Sequence, residues 1–168
     1  MAKRSRSFSR EKDLDLLATA YRRLRNEGLP IQLFVVGHGP YAEALAKSLP
    51  EAFFTGYLEG TELAIAYASA DIFVFLSTTD TFGNVILEAQ ACGVPVIVSD
   101  SGGPKELVED GMNGVITRSR DVDDFTRAIR SLIADAALRE RMGSAARKSV
   151  IDRSWPSAFG KFWGATEI

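Results

Sequence analysis

The sequence predicts an α/β protein built on a doubly wound parallel sheet with helices on both faces. Three observations lead there. Short apolar segments alternate with segments of helical period along nearly the whole chain. One apolar segment, residues 72–76, shows no polar alternation, as expected of a strand covered on both sides. Glycines gather in the loops that follow strands, where such sheets bind their ligands.

Residues 12–26 carry Leu14, Leu17, Tyr21 and Leu24 on one helical face, and Gly28 stands just past the end. Residues 31–36 form an apolar strand that runs into Gly37-His38-Gly39-Pro40. Residues 41–49 read as helix, and 52–55 as a strand ending at Gly56. Thr61 is placed to cap a helix over 62–69. After the strand at 72–76, Phe82-Gly83-Asn84 turns the chain into a short helix that ends in Gly93-Val94-Pro95, and a strand follows over 94–99. Pro104 suits the first position of another short helix. Asn113-Gly114 turns into a strand over 115–117, residues 121–134 and 136–150 form two helices, and Trp155 opens a last amphipathic segment.

Composition narrows the function. The 168 residues suit one domain with a proper core. With 20 basic and 22 acidic residues, charge implies no nucleic-acid partner. The single cysteine, Cys92, excludes an internal disulfide and a cysteine-based zinc site; it fits a reducing compartment and reads as a small buried residue. No apolar run reaches the roughly 18–20 residues that span a membrane. The basic start, Met1 to Arg10, lacks the apolar stretch of a secretory signal.

The chemistry is expected in the loops after strands: around Lys12, at 37–40, 56–58, 77–84 and 99–106. Asp80 and Glu88 bracket the Phe82-Gly83-Asn84 turn. They read either as a turn residue and a solvated helix carboxylate, as an acid–base pair, or as a grip on ligand hydroxyls. The third suits their placement best, because one precedes the helix and the other lies within it among Val85, Ile86, Leu87, Ala89 and Ala91. Gly83 admits a ligand close to the backbone, and the N–H groups after it belong to a helix start that attracts anions. Gly37-His38-Gly39-Pro40-Tyr41-Ala42 matches a dinucleotide fingerprint only weakly. His38, the one histidine, has no nucleophile or metal ligand at a recognisable spacing. Ser101-Gly102-Gly103 reads either as an anion-binding nest or as a plain loop.

These residues together resemble the C-terminal, donor-binding domain of retaining GT-B glycosyltransferases of the group 1, or family 4, type. Ser9 to Asp15, Phe34 to Pro40, Phe54 to Leu58, Tyr67 to Val74 and Gly102 to Glu106 fall in family order, and the central block matches the family's E-x7-E signature. The resemblance implies a Rossmann-like half of a GT-B enzyme and a nucleoside-diphosphate sugar as donor. Glu88 would hold the ribose hydroxyls, and Asp80, in place of the usual glutamate, the hydroxyls of the donor sugar. Thr81, Phe82, Gly83, Asn84 and Val85 would grip sugar and diphosphate, and Lys12 would neutralise the phosphates. Gly37, His38, Gly56, Tyr57 and Leu58 would border the nucleotide. The family's basic partner ahead of the lysine is replaced by Arg6-Ser7.

The same resemblance implies no cofactor and no metal, a cytoplasmic location, and an N-terminal acceptor domain outside this chain. Residues 1–168 would then be the donor domain, a hexosyltransferase half inactive by itself, and any membrane-surface association would come through the full-length enzyme. A sugar-nucleotide epimerase-like enzyme and a non-catalytic nucleotide-binding domain are the alternatives.

Overall fold

The structure, a computed structural model, describes residues 13–39, 41–77 and 83–152. Over these the chain runs α1 (Leu14–Asn26), β1 (Phe34–Val36), α2 (Ala42–Ser48), β2 (Phe53–Gly56), α3 (Gly60–Ala68), β3 (Phe73–Phe75), α4 (Asn84–Ala91) and β4 (Val96–Ser99). A 3-10 helix (Pro104–Leu107), β5 (Gly114–Thr117), α5 (Val122–Ala134) and α6 (Ala136–Asp152) complete it. The alternation of strand and helix is as the sequence predicts. Among the described residues the strands pair in two all-parallel ladders, β1 with β2, and β3–β4–β5 with β4 at the centre.

The period of two along the second ladder places its helices. Val74, Ile97 and Val115 lie in register and point to one face, where they meet Ala20 of α1, Phe125 and Leu132 of α5 and Met142 of α6. Phe73, Phe75, Val96, Val98 and Ile116 point to the other face and pack on Tyr67 of α3 and Ile86 and Ala89 of α4. β4 is therefore buried along its whole length. The first ladder has a core of its own, in which Val35 meets Leu14, Ala18 and Tyr21 of α1 and Leu45 of α2. Helix α1 serves both cores, and Leu17 packs against each of them.

Local chemistry sets the element ends. Asp121 caps α5 by accepting from the N–H groups of Asp123 (3.1 Å) and Asp124 (2.9 Å), an arrangement that stabilises a helix by about 1 kcal/mol. At the end of α4, Gly93 turns left-handed at φ 75°. Its N–H bonds to the carbonyl of Gln90 at 2.9 Å while that of Val94 bonds to Ala89 at 3.1 Å, closing a Schellman motif. The reversed chain is thereby delivered directly into β4.

Apart from strand and helix ends that move by a few residues, such as β1 beginning at Phe34 rather than 31, three details differ from expectation. α3 begins at Gly60 with Glu59 in the cap position and no side-chain cap, so Thr61 lies inside the helix rather than ahead of it. β4 starts at Val96 because Pro95 has no N–H to give the ladder, although its carbonyl accepts from Phe73 at 3.0 Å. Cys92 is half-buried, at the edge of the core beneath α4, rather than fully enclosed. The amphipathic segment beginning at Trp155 lies outside the described residues.

Candidate functional site

Within each parallel ladder the loops after the strands share one end, and hydrogen bonds tie neighbouring loops together. The N–H of Gly37, leaving β1, donates to the carbonyl of Gly56, leaving β2, at 2.8 Å. Beyond this tie His38 and Tyr57 are both exposed, and their rings meet edge to face with centroids 5.9 Å apart. Leu58 is half-buried beside them. The structure thus brings Gly37, His38, Gly56, Tyr57 and Leu58 together past the carboxyl ends of β1 and β2.

A second cluster is built on α4. Gly83 occupies its cap position, is buried, and brings no side-chain oxygen to the first N–H groups of the helix. A β-carbon at Gly83 would stand 2.7 Å from Cδ1 of Ile86 and 3.5 Å from Cβ of Pro104. The tight approach is therefore to Ile86 of the same helix, whose side chain folds back over the cap, whereas Pro104 is at ordinary contact distance. Asn84 and Glu88 are one turn apart on the same face of α4, both half-buried, while Ile86, Ala89 and Gln90 are turned into the protein. Gln90 fastens the opposite side by donating from Nε2 to the carbonyl of Leu107 at 3.1 Å. Val85 is half-buried and joins the core beneath the helix, so its backbone rather than its side chain faces the helix start.

The carboxylate of Glu88 accepts a hydrogen bond at Oε2 from the Tyr67 hydroxyl at 3.0 Å. Tyr67 belongs to α3, is 7% exposed, and packs its ring edge-on against Phe73 at 5.4 Å. Sequence reasoning gave Tyr67 no role. The available signal was a phenol within an otherwise apolar helical face, since a buried tyrosine hydroxyl needs a partner.

The loop after β4 is tied to the one after β5. Asp100 Oδ1 accepts from the N–H of Ser119 at 2.8 Å, and the hydroxyl of Ser101 lies 3.1 Å from that of Ser119. The N–H of Ser101 already donates to Ser99 Oγ at 3.2 Å. Any anion-binding nest here would therefore have to use the donors of Gly102 and Gly103. Beneath these loops Asp13, Ser99, Thr117 and Arg118 line a small recess. Among the described residues no three or more His, Cys, Asp or Glu side chains gather as metal ligands, and no helix is long and apolar enough to cross a membrane. Lys12, Asp80, Thr81 and Phe82, with Arg6 and Ser7, lie outside the described residues.

Glycine-rich loops at the carboxyl ends of parallel strands, with a helix start and a held carboxylate among them, are the arrangement with which open α/β sheets bind ligands. Comparison with known proteins narrows the class. The family model described as glycosyl transferases group 1 matches residues 5–149, and the chain belongs to that family.

A GDP-mannose-dependent α-mannosyltransferase of Mycolicibacterium smegmatis is 45% identical over 127 residues, 75% of this chain and 33% of that protein. The sulfoquinovosyl transferase SQD2 of Arabidopsis thaliana is 37% identical over 157 residues, 90% of this chain and 30% of that protein. The chain thus spans about a third of the length of these curated relatives. Among solved structures, Anabaena Alr3699/HepE in complex with UDP-glucose superposes with a TM-score of 0.80 at 24% identity, covering 96% of this chain and 46% of that one. The fold is the α/β fold of GT-B glycosyltransferases.

Proposed function

We propose that this chain is the donor-binding domain of a glycosyltransferase that takes a sugar from a nucleoside diphosphate and passes it to an acceptor with retention of anomeric configuration. The carrying observation is Glu88, half-buried one turn into α4 and bonded to Tyr67, on the same helix face as Asn84 beside the Gly83 start. A helix start favours negative charge, and a carboxylate close by accepts from sugar hydroxyls. A nucleotide sugar presents both, a diphosphate and the hydroxyls of the sugars on either side of it. Family membership and the 45% identical GDP-mannose-dependent relative support the same reading.

In this reading Glu88 accepts from the ribose hydroxyls and Asp80 from hydroxyls of the donor sugar. The backbone from Thr81 to Val85 holds sugar and diphosphate, and Lys12 neutralises the phosphates. Gly37, His38, Gly56, Tyr57 and Leu58 border the nucleoside. Catalysis then consists of stabilising the charge that builds on the departing diphosphate, which preorganised donors and a helix dipole accomplish without a metal ion. The acceptor is held by parts of the enzyme that the longer relatives carry beyond the matched third. The donor domain works in the cytoplasm, and its cysteine remains a thiol.

Thermal unfolding in the presence of nucleoside diphosphates and their sugars tests this, because a ligand of the folded state raises its stability. GDP is the first to try, given the relative. At a hundredfold excess over Kd the gain is about 2.7 kcal/mol. Glu88→Ala should abolish most of that gain, and the 168 residues alone should transfer little sugar. A response to NAD but to no nucleoside diphosphate would sink the reading.

A further inference from the structure

We propose that Tyr67 is a positioning residue for the nucleotide: its phenol fixes the carboxylate of Glu88 in the orientation that accepts from a ribose. The inference rests on the ribose-binding reading of Glu88 and goes beyond it by naming what gives that carboxylate its aim. A glutamate side chain has several rotatable bonds, so the orientation of a carboxylate on a helix surface depends on the groups that bond it. Tyr67 fixes one oxygen. Its hydroxyl donates to Oε2 at 3.0 Å, and a phenol donating to an ionised carboxylate forms a charge-assisted bond.

The donor is itself rigidly placed. Tyr67 is 7% exposed, its ring stands edge-on to Phe73 with centroids 5.4 Å apart, and it shares a core with Ile86 and Ala89 on the buried side of α4. A bond anchored in the core of the β3–β4–β5 ladder therefore reaches out to the half-buried face of α4 that carries Asn84 and Glu88. Ordering a side chain before the ligand arrives removes that entropic cost from binding. The consequence is selective. The benefit of an aimed Glu88 accrues only to a ligand that presents ribose hydroxyls to it.

The experiment compares GDP with its dideoxyribose counterpart, and UDP with its own, by titration against the wild-type chain, Tyr67→Phe, Glu88→Gln and the double variant. Circular dichroism and thermal unfolding verify that each is folded. Tyr67→Phe keeps the ring in the core and removes only the hydroxyl. Wild type should prefer the ribonucleotide. Tyr67→Phe should bind it about tenfold more weakly, as the loss of one hydrogen bond to a charged group implies, with affinity for the dideoxy form nearly unchanged.

The double variant should bind no more weakly than Glu88→Gln alone. An equal loss for both nucleotides, or a further loss in the double variant, would mean that Tyr67 merely supports the fold, and would overturn the inference. A wild-type chain that binds both forms equally would instead remove Glu88 from the ribose, and one that binds neither nucleotide would remove the donor-domain reading itself.

Discussion

Asp124 illustrates how a single carboxylate holds the loop after β5 to the start of α5. Its Oδ2 accepts from the N–H of Arg118 at 2.9 Å, and its Oδ1 from Nη1 of Arg127 at 2.9 Å. The backbone bond from Arg118, helped by the charges of Arg118 and Arg127 and opposed by partial burial, holds the carboxyl below its ordinary value. A depressed carboxyl pKa means that the unfolded chain takes up the proton first as pH falls. The stabilisation is therefore complete above the unfolded value of about 3.9 and is lost as pH falls through the folded one. Asp124→Asn should lower stability at neutral pH by a surface-scale amount, about 1 kcal/mol or less. The deficit should shrink below about pH 4; urea unfolding at both pH values reads it, and a pH-independent deficit would contradict the assignment. Glu88 was legible as a residue of interest because a carboxylate among apolar neighbours is conspicuous in sequence. Tyr67 was not, because the bond that gives it meaning joins α3 to α4, and periodicity says which face a residue occupies without saying what lies opposite.

Elements were more legible than their junctions. The continuous apolar run at 72–76 became β3, whose residues join the cores on both faces although each strand residue is only half-buried, and the end of α4 was marked by Gly93 and Pro95. Less visible was the packing that uses this end. The carbonyl of Gly93 meets α6 at Gly143, where an added β-carbon would stand 2.1 Å from that oxygen and 3.1 Å from the carbonyl carbon. Both atoms are backbone, so no side chain can rotate away, and α4 and α6 would have to separate. In the sequence Gly143 reads only as a weak helix former within α6. Gly143→Ala should therefore destabilise, by about 1–3 kcal/mol, although alanine is the better helix former. Because α4 carries Gly83, Asn84 and Glu88, the displacement should also weaken nucleotide binding. A variant as stable as wild type by thermal unfolding would show that the two helices are not held at this distance.

At the scale of the whole molecule, the alternation of strands and helices was enough to foretell the fold class, but not how two ladders are held as one body. Pattern assigns each helix an apolar stripe; it does not say that one stripe is shared. α1 carries Leu14, Ala18 and Tyr21 toward the core of β1 and β2, and Ala20 toward that of β3, β4 and β5. Leu17 touches both. The bidentate pair between Glu27, just past α1, and Arg130 of α5 lies on the surface and adds little by comparison. Leu17→Ala should therefore cost about 2 kcal/mol, toward the low end for a truncated leucine because the side chain is only half-buried. The loss should register in both ladders. Native-state hydrogen exchange reads this at two amides, Phe53, which donates to Leu33 at 2.9 Å in the first ladder, and Phe73, which donates to Pro95 at 3.0 Å in the second. If α1 splices the ladders into one cooperative unit, both amides lose protection by the same free energy. Loss at Phe53 alone would mean that β1 and β2, with the Gly37 and Tyr57 loops they carry, open independently of the part that holds Glu88. The candidate site would then be assembled by its ligand rather than waiting for it.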